Sequence, residues 1–251
     1  MGAVKKRQKQ IGIDRLIRLE WLQQTADLVL AGSDKETIKT FLQDHIRSHF
    51  LSRNDSVRGS IDKTITILMR TWVHPPDELG SFQRDGLKLL QVTPREERIA
   101  IHWGMIMAVY PFWGNVAAQV GRILGLQGDV TAAQVQRRLK EQYGERETVS
   151  RRTRYVLRSF IEWEVLKETS KQGVYSQGSL HSIGQPMLVA WLAEALLHSK
   201  SDNIAPLDSV LISTSFFPFK LARITSGELT SLDERLEIIR HGMDQELLRL
   251  R

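Results

Sequence analysis

A mainly α-helical protein is predicted by three features of the sequence. Apolar residues recur at three- and four-residue spacing along most of the chain, proline and glycine fall where helices must start and stop, and only 165–177 reads as a pair of short strands around a polar turn. A length of 251 residues, 41% hydrophobic and 25% charged, is enough to bury a substantial core in ordinary globular fashion. The pattern divides into an N-terminal helical bundle over 1–92 with a basic arm at 1–10, a core helix and helix-turn-helix over 93–180, and a mostly helical C-terminal segment over 181–251.

The first ten residues carry Lys5, Lys6, Arg7 and Lys9 without the apolar run of a signal peptide, and they read as a mobile arm able to touch phosphates or simply to solubilise. Ile13 to Ala31 then carries Leu16, Ile17, Trp21, Leu22 and Leu28 at helical spacing, with Gly32 as the stop. Ser33 with Glu36 resembles a capping box for a second helix through Ile38, Leu42 and Ile46. His45 and His49, one turn apart on that helix, have a spacing that can chelate a metal. With no His-Glu-x-x-His arrangement and no third ligand in view, they are read as half-exposed surface histidines, and no metal site is assigned.

Val57 to Val73 forms a third helix with Ile61, Ile65, Leu68, Met69 and Trp72 inward. His74-Pro75-Pro76 ends it, because the second proline bars the residue before it from helical geometry and neither proline donates a backbone hydrogen bond. Asp77 to Leu90 is a fourth helix, and Thr93-Pro94 with Glu96 and Glu97 opens a fifth. Between Arg98 and Arg122 no Asp, Glu, Lys or Arg occurs, a run long enough to raise a membrane span. His102, Gly104, Pro111, Gly114, Asn115 and Gln119 interrupt it, so two buried helices meeting at Tyr110-Pro111-Phe112 are expected instead, and no membrane partner.

The next stretch carries the functional reading. A helix is expected from Asn115, as cap, to Leu126, closed by Gly128. A second opens on the Thr131/Gln134 capping box and stops at Gly144. The short link Gly144-Glu145-Arg146-Glu147 forces a sharp crossing into a third helix over Val149 to Glu164. At about 100° per residue, Val149, Thr153, Val156, Leu157, Phe160 and Trp163 share one side of it, and Arg151, Arg154, Tyr155, Arg158 and Glu162 the other. Val165 to Thr169 and Val174 to Gln177 then flank a Ser170-Lys171-Gln172-Gly173 turn. Three helices followed by such a hairpin outline a winged helix-turn-helix, in which an arginine stripe on the third helix suits a DNA groove because guanidinium binds phosphate or guanine bidentately. The candidate DNA-binding residues are Arg146, Arg151, Arg152, Arg154, Tyr155, Arg158 and Lys171, with Lys5, Lys6 and Arg7 of the arm.

Ser179 to Gln185 reads as a linker, Pro186 to His198 as an apolar helix, Phe216 to Phe219 as a buried anchor, Leu236 to Ile239 as strand or helix, and Gln245 to Arg251 as a helical end. The absence of cysteine excludes disulfides, zinc ribbons and cysteine nucleophiles and fits a cytoplasmic location, while a formal charge of +6 favours acidic partners such as duplex DNA. No phosphate loop, dinucleotide fingerprint, nucleophile elbow or clustered magnesium-binding acids are present, so neither catalytic residues nor a cofactor are assigned. A binding protein is favoured over an enzyme.

The layout resembles the BrxA family, the small accessory component of BREX phage-defence systems. It is carried by an N-terminal bundle with a basic helix (Arg58, Lys63, Arg70), Pro75-Pro76-Asp77-Glu78-Leu79, and an apolar helix ending in Tyr110-Pro111-Phe112. A helix-turn-helix with Thr131, Thr148, Thr153 and Leu157 follows, closing on Trp163-Glu164-Val165-Leu166. It spans Thr37 to Tyr175, and neither the arm nor the last seventy or so residues take part. The resemblance implies a non-enzymatic, cytoplasmic, mostly helical protein that binds DNA in an antiviral system alongside other phage-defence proteins. A protein-interaction scaffold and an RNA-binding protein are the alternatives, the latter without an aromatic stacking platform to support it.

Overall fold

The computed structural model describes residues 7–49, 55–241 and 245–251. It is mainly helical. Helices α1 (Leu19–Leu30), α3 (Asp55–Trp72) and α4 (Gly80–Val92) pack on α5 (Arg98–Val109), with α2 (Lys35–Arg47) against α1 and α3, and every residue of α5 from Ile99 to Val109 is buried. The uncharged run therefore reflects burial on all sides. Among the described residues no helix is long and apolar enough to cross a membrane. The chain then turns at Tyr110 into α6 (Pro111–Gln127), with proline at its first turn and Gly128 ending it in the left-handed region at φ +79°.

Strand β1 (Asp129–Thr131) leads into α7 (Ala132–Tyr143), where both halves of the Thr131/Gln134 capping box form. After a turn at Gly144 comes α8 (Glu147–Glu162), followed by β2 (Leu166–Glu168) and β3 (Val174–Gln177). These strands form one antiparallel sheet in the order β1-β3-β2, with Val130 opposite Tyr175 and Lys167 opposite Ser176. The hairpin lies where it was expected; the third strand, β1, was not.

Beyond it, β4 (His181–Ile183) precedes α9 (Pro186–Ser199), β5 (Ile204–Pro206), α10 (Leu207–Leu211), β6 (Phe219–Leu221), α11 (Ser226–Leu232), β7 (Leu236–His241) and β8 (Gln245–Leu250). β4 pairs in parallel with β6, and β5-β8-β7 form a third, antiparallel sheet. α9 lies along α5 in the middle of the molecule, so close that a Cβ on Gly104 would overlap the Trp191 ring. One contiguous apolar core joins all parts of the chain, from Ile11 to Leu248.

Several elements depart from the sequence reading. The helix expected from Ile13 begins at Leu19: Ile11, Ile13 and Ile17 are buried in an irregular strap that crosses α8, where Ile17 N–H donates to Ser159 Oγ (2.9 Å) and Trp163 Nε1 donates to Ile17 O (2.9 Å). The second helix is capped by Asp34 rather than Ser33, its carboxylate accepting from the Glu36 and Thr37 amides. Asn115 is not a cap, because the helix starts at Pro111; its side chain donates to the Tyr143 hydroxyl on α7. The supposed linker contains β4, and Gln245–Leu250 is a strand, not a helical end, because its backbone is held by β7 and β5 on either side.

Candidate nucleic-acid interface

The apolar side of α8 is anchored deeply. Phe160 stacks on Trp103 of α5 (ring centroids 4.8 Å) and meets Trp113 of α6 edge-on (5.0 Å), while Trp163 lies 5.8 Å from Trp103. Phe217 and Phe219 of the C-terminal part close the same cluster. The final quarter of the chain thus covers the buried side of α8 and leaves its opposite side open. α7 is held against α8 by Gln136 Nε2 donating to Ser150 O (3.2 Å).

On the outer side Arg151, Arg154 and Arg158 are exposed, and with half-buried Tyr155 they bound a shallow recess of about 260 Å³. Arg154 Nη2 pairs with Glu147 Oε1 at 3.1 Å, but the two side chains are 55% and 75% exposed, so the contact is solvent-screened and readily exchanged for a phosphate. Arg151 and Arg158 have no carboxylate within salt-bridge distance among the described residues. Lys171, at the tip of the β2–β3 hairpin, is exposed beside Gly173, whose φ of +74° turns the chain back into β3. Tyr175 of β3 has its phenol pushed above its ordinary range by burial, then by Glu168, with Arg158 opposing both.

The remaining candidates separate. Arg146 is exposed but folds back on the turn, its Nη2 donating to Tyr143 O (2.8 Å). Arg152 is turned off the stripe: its Nε is buried without a hydrogen-bond partner among the described residues, burial lowers its pKa, and Asp14 of the strap is its attracting charge. It belongs to the packing between strap and helix. Arg15 of the same strap lies over the Tyr155 ring at 5.8 Å and adds a cation to the outer side that periodicity along α8 alone could not reveal.

Arg7 is a plain correction. A mobile basic arm was expected, yet its side chain is 4% exposed, with Nη1 donating to Ala108 O (2.6 Å) and Nη2 to His198 O (3.0 Å). One guanidinium therefore serves the C-terminal carbonyls of both α5 and α9, where the helix dipoles favour a cation, and Glu78 sits 3.7 Å away. It is not available to a phosphate. Lys5 and Lys6 lie outside the described residues.

A larger cleft of about 600 Å³ runs between α1, the start of α5 and the end of α8. Its arginines, Arg18, Arg95 and Arg98, are outnumbered by the carboxylates of Glu20, Asp27, Glu96, Glu162 and Glu164, so it does not extend the cationic stripe. The chain has no match among protein-family models, curated proteins or solved structures.

Proposed function

We propose that this chain is a non-enzymatic DNA-binding protein in which residues 111–177 act as a winged helix-turn-helix. The observation that carries the reading is the exposed stripe of Arg151, Arg154 and Arg158 on a helix whose other side is locked into the core. A helix about 10–12 Å across fits a major groove about 12 Å wide, and guanidinium groups on its outer side meet phosphate oxygens or guanine edges. The order helix, strand, helix, helix, hairpin, with the sheet arranged β1-β3-β2, supports this reading, in which Lys171 at the hairpin tip holds the backbone flanking the groove. The resemblance of the sequence layout to the BrxA family supports a place for this binding within a phage-defence system of the BREX kind, with other defence proteins as partners.

Fluorescence anisotropy on random-sequence duplex DNA over a salt series tests the reading. Binding should weaken steeply with salt, the log–log slope losing about 0.9 for each phosphate contact removed. Replacing Arg151, Arg154 and Arg158 together by glutamate should abolish binding with the melting temperature unchanged. Unaltered affinity in that variant would remove the proposal; if co-purification with defence proteins then survived nuclease treatment, the module would be a protein-interaction scaffold.

A further inference from the structure

We propose that Glu20, His45 and His49 form a binding site for a divalent transition-metal ion of the zinc class, a role that goes beyond DNA binding and does not depend on it. One ligand atom from each of the three lies within 4.8 Å of the others, and His49 Nε2 is already 3.4 Å from Glu20 Oε1. Ligand atoms around a tetrahedral zinc stand roughly 3.4 Å apart, given bonds of about 2.0–2.1 Å, so small side-chain rotations complete the set. Two imidazoles and one carboxylate suit zinc, cobalt or nickel better than the all-oxygen preference of magnesium or calcium, and they leave positions open for water.

Three further observations point the same way. The His49 Nδ1 lies 3.1 Å from the carbonyl oxygen of His45, which can only accept, so Nδ1 carries the proton and Nε2 keeps its lone pair facing Glu20. This backbone-oriented imidazole is the usual arrangement behind a metal-binding histidine. His45 Nε2 is buried and has no hydrogen-bond partner among the described residues, an orphaned nitrogen that a metal would satisfy. His45 sits in the last turn of α2 and His49 just past its Ser48 cap, where the helix dipole favours a cation. The rings are held in place: His45 stacks on Phe41 (5.7 Å) and His49 meets Trp21 edge-on (5.7 Å). The competing cation is Arg18, 3.7 Å from Glu20; it also reaches Glu162 at 3.3 Å and can keep that partner when Glu20 turns to a metal.

The test uses the full-length protein stripped with chelator and titrated with cobalt(II) chloride, followed by its visible absorption, with zinc chloride as competitor. Saturation at one ion per chain is expected, with displacement by zinc and a melting temperature that rises with zinc concentration. The His45→Ala/His49→Ala double variant should lose the signal entirely, and Glu20→Gln, which keeps the shape of the side chain, should weaken cobalt binding by at least ~10-fold. Far-ultraviolet circular dichroism checks that both variants fold. If the wild type shows no saturable change, or both variants bind like it, these residues form only an ion pair and the proposal is overturned.

Discussion

His102, which interrupts the apolar run in the sequence, is a structural residue in the fold. It sits on α5 with Nδ1 accepting from Trp72 Nε1 (3.1 Å) and Nε2 bonded to Gln23 Oε1 (3.0 Å), so the neutral ring is satisfied at both nitrogens. Burial, then the Arg98 charge, pushes its pKa down to about 3. The unfolded chain takes up a proton near pH 6.5 while the folded one does not, so this group's contribution is complete above that value and is lost as pH falls towards 3. Each unit of difference is worth 1.36 kcal/mol, and between pH 6.5 and 5 His102 should account for about 2 kcal/mol of lost stability. Urea denaturation of wild type and His102→Gln at pH 7 and pH 5 measures this; an equal pH-dependent loss in both would mean another group dominates. Arg7 gives the converse lesson. Nothing in its local sequence separates it from Lys5, Lys6 and Lys9, and only Ala108 and His198, remote along the chain, turn an apparent arm residue into a clamp on two helix ends.

What could be read in advance was whatever repeats along one helix or sits at its ends. α8 was legible because its apolar and basic residues alternate with the 3.6-residue period over sixteen residues, and α7 because the Thr131/Gln134 box is a local signal. The strands β1, β4 and β5, of three residues each, were not legible, since their partners lie 12 or more residues away and so short a run leaves no period to detect. The third ligand of the His45/His49 pair was hidden for the same reason: Glu20 belongs to a different helix. The hairpin was legible through its turn residues, and its role can be separated from that of α8. Lys171 is exposed, so Lys171→Ala should leave the melting temperature unchanged and flatten the salt dependence of DNA binding by about 0.9, the signature of one phosphate. A slope equal to that of the wild type would put the hairpin away from the backbone.

The C-terminal segment looked separable in sequence, but buried charge ties it to the rest. Glu194 on α9 is fully buried, and its carboxylate accepts two bonds from Arg235 (Nε at 2.8 Å, Nη2 at 2.9 Å) and contacts His198 Nε2 (3.1 Å). Arg235 Nη1 donates to Asp85 of α4 (2.8 Å), so a residue just ahead of β7 bridges the central helix to the N-terminal bundle. Asp233 beside it is raised to about 7 by burial and by Glu194, and the same carboxylates push the Arg235 pKa up against the lowering effect of burial. Removing Arg235 strands the Glu194 charge in the core. Arg235→Met should therefore destabilise the chain by about 3 kcal/mol, the low end of the range for breaking a buried pair because solvent reaches one side of Arg235. Adding Glu194→Gln should restore most of it by removing the stranded charge. Because one core runs through every part of the chain, tryptophan fluorescence and far-ultraviolet circular dichroism should report a single coincident unfolding transition in wild type and variants alike. An early transition confined to the C-terminal segment in Arg235→Met would show instead that this network is the only bond between two otherwise independent units.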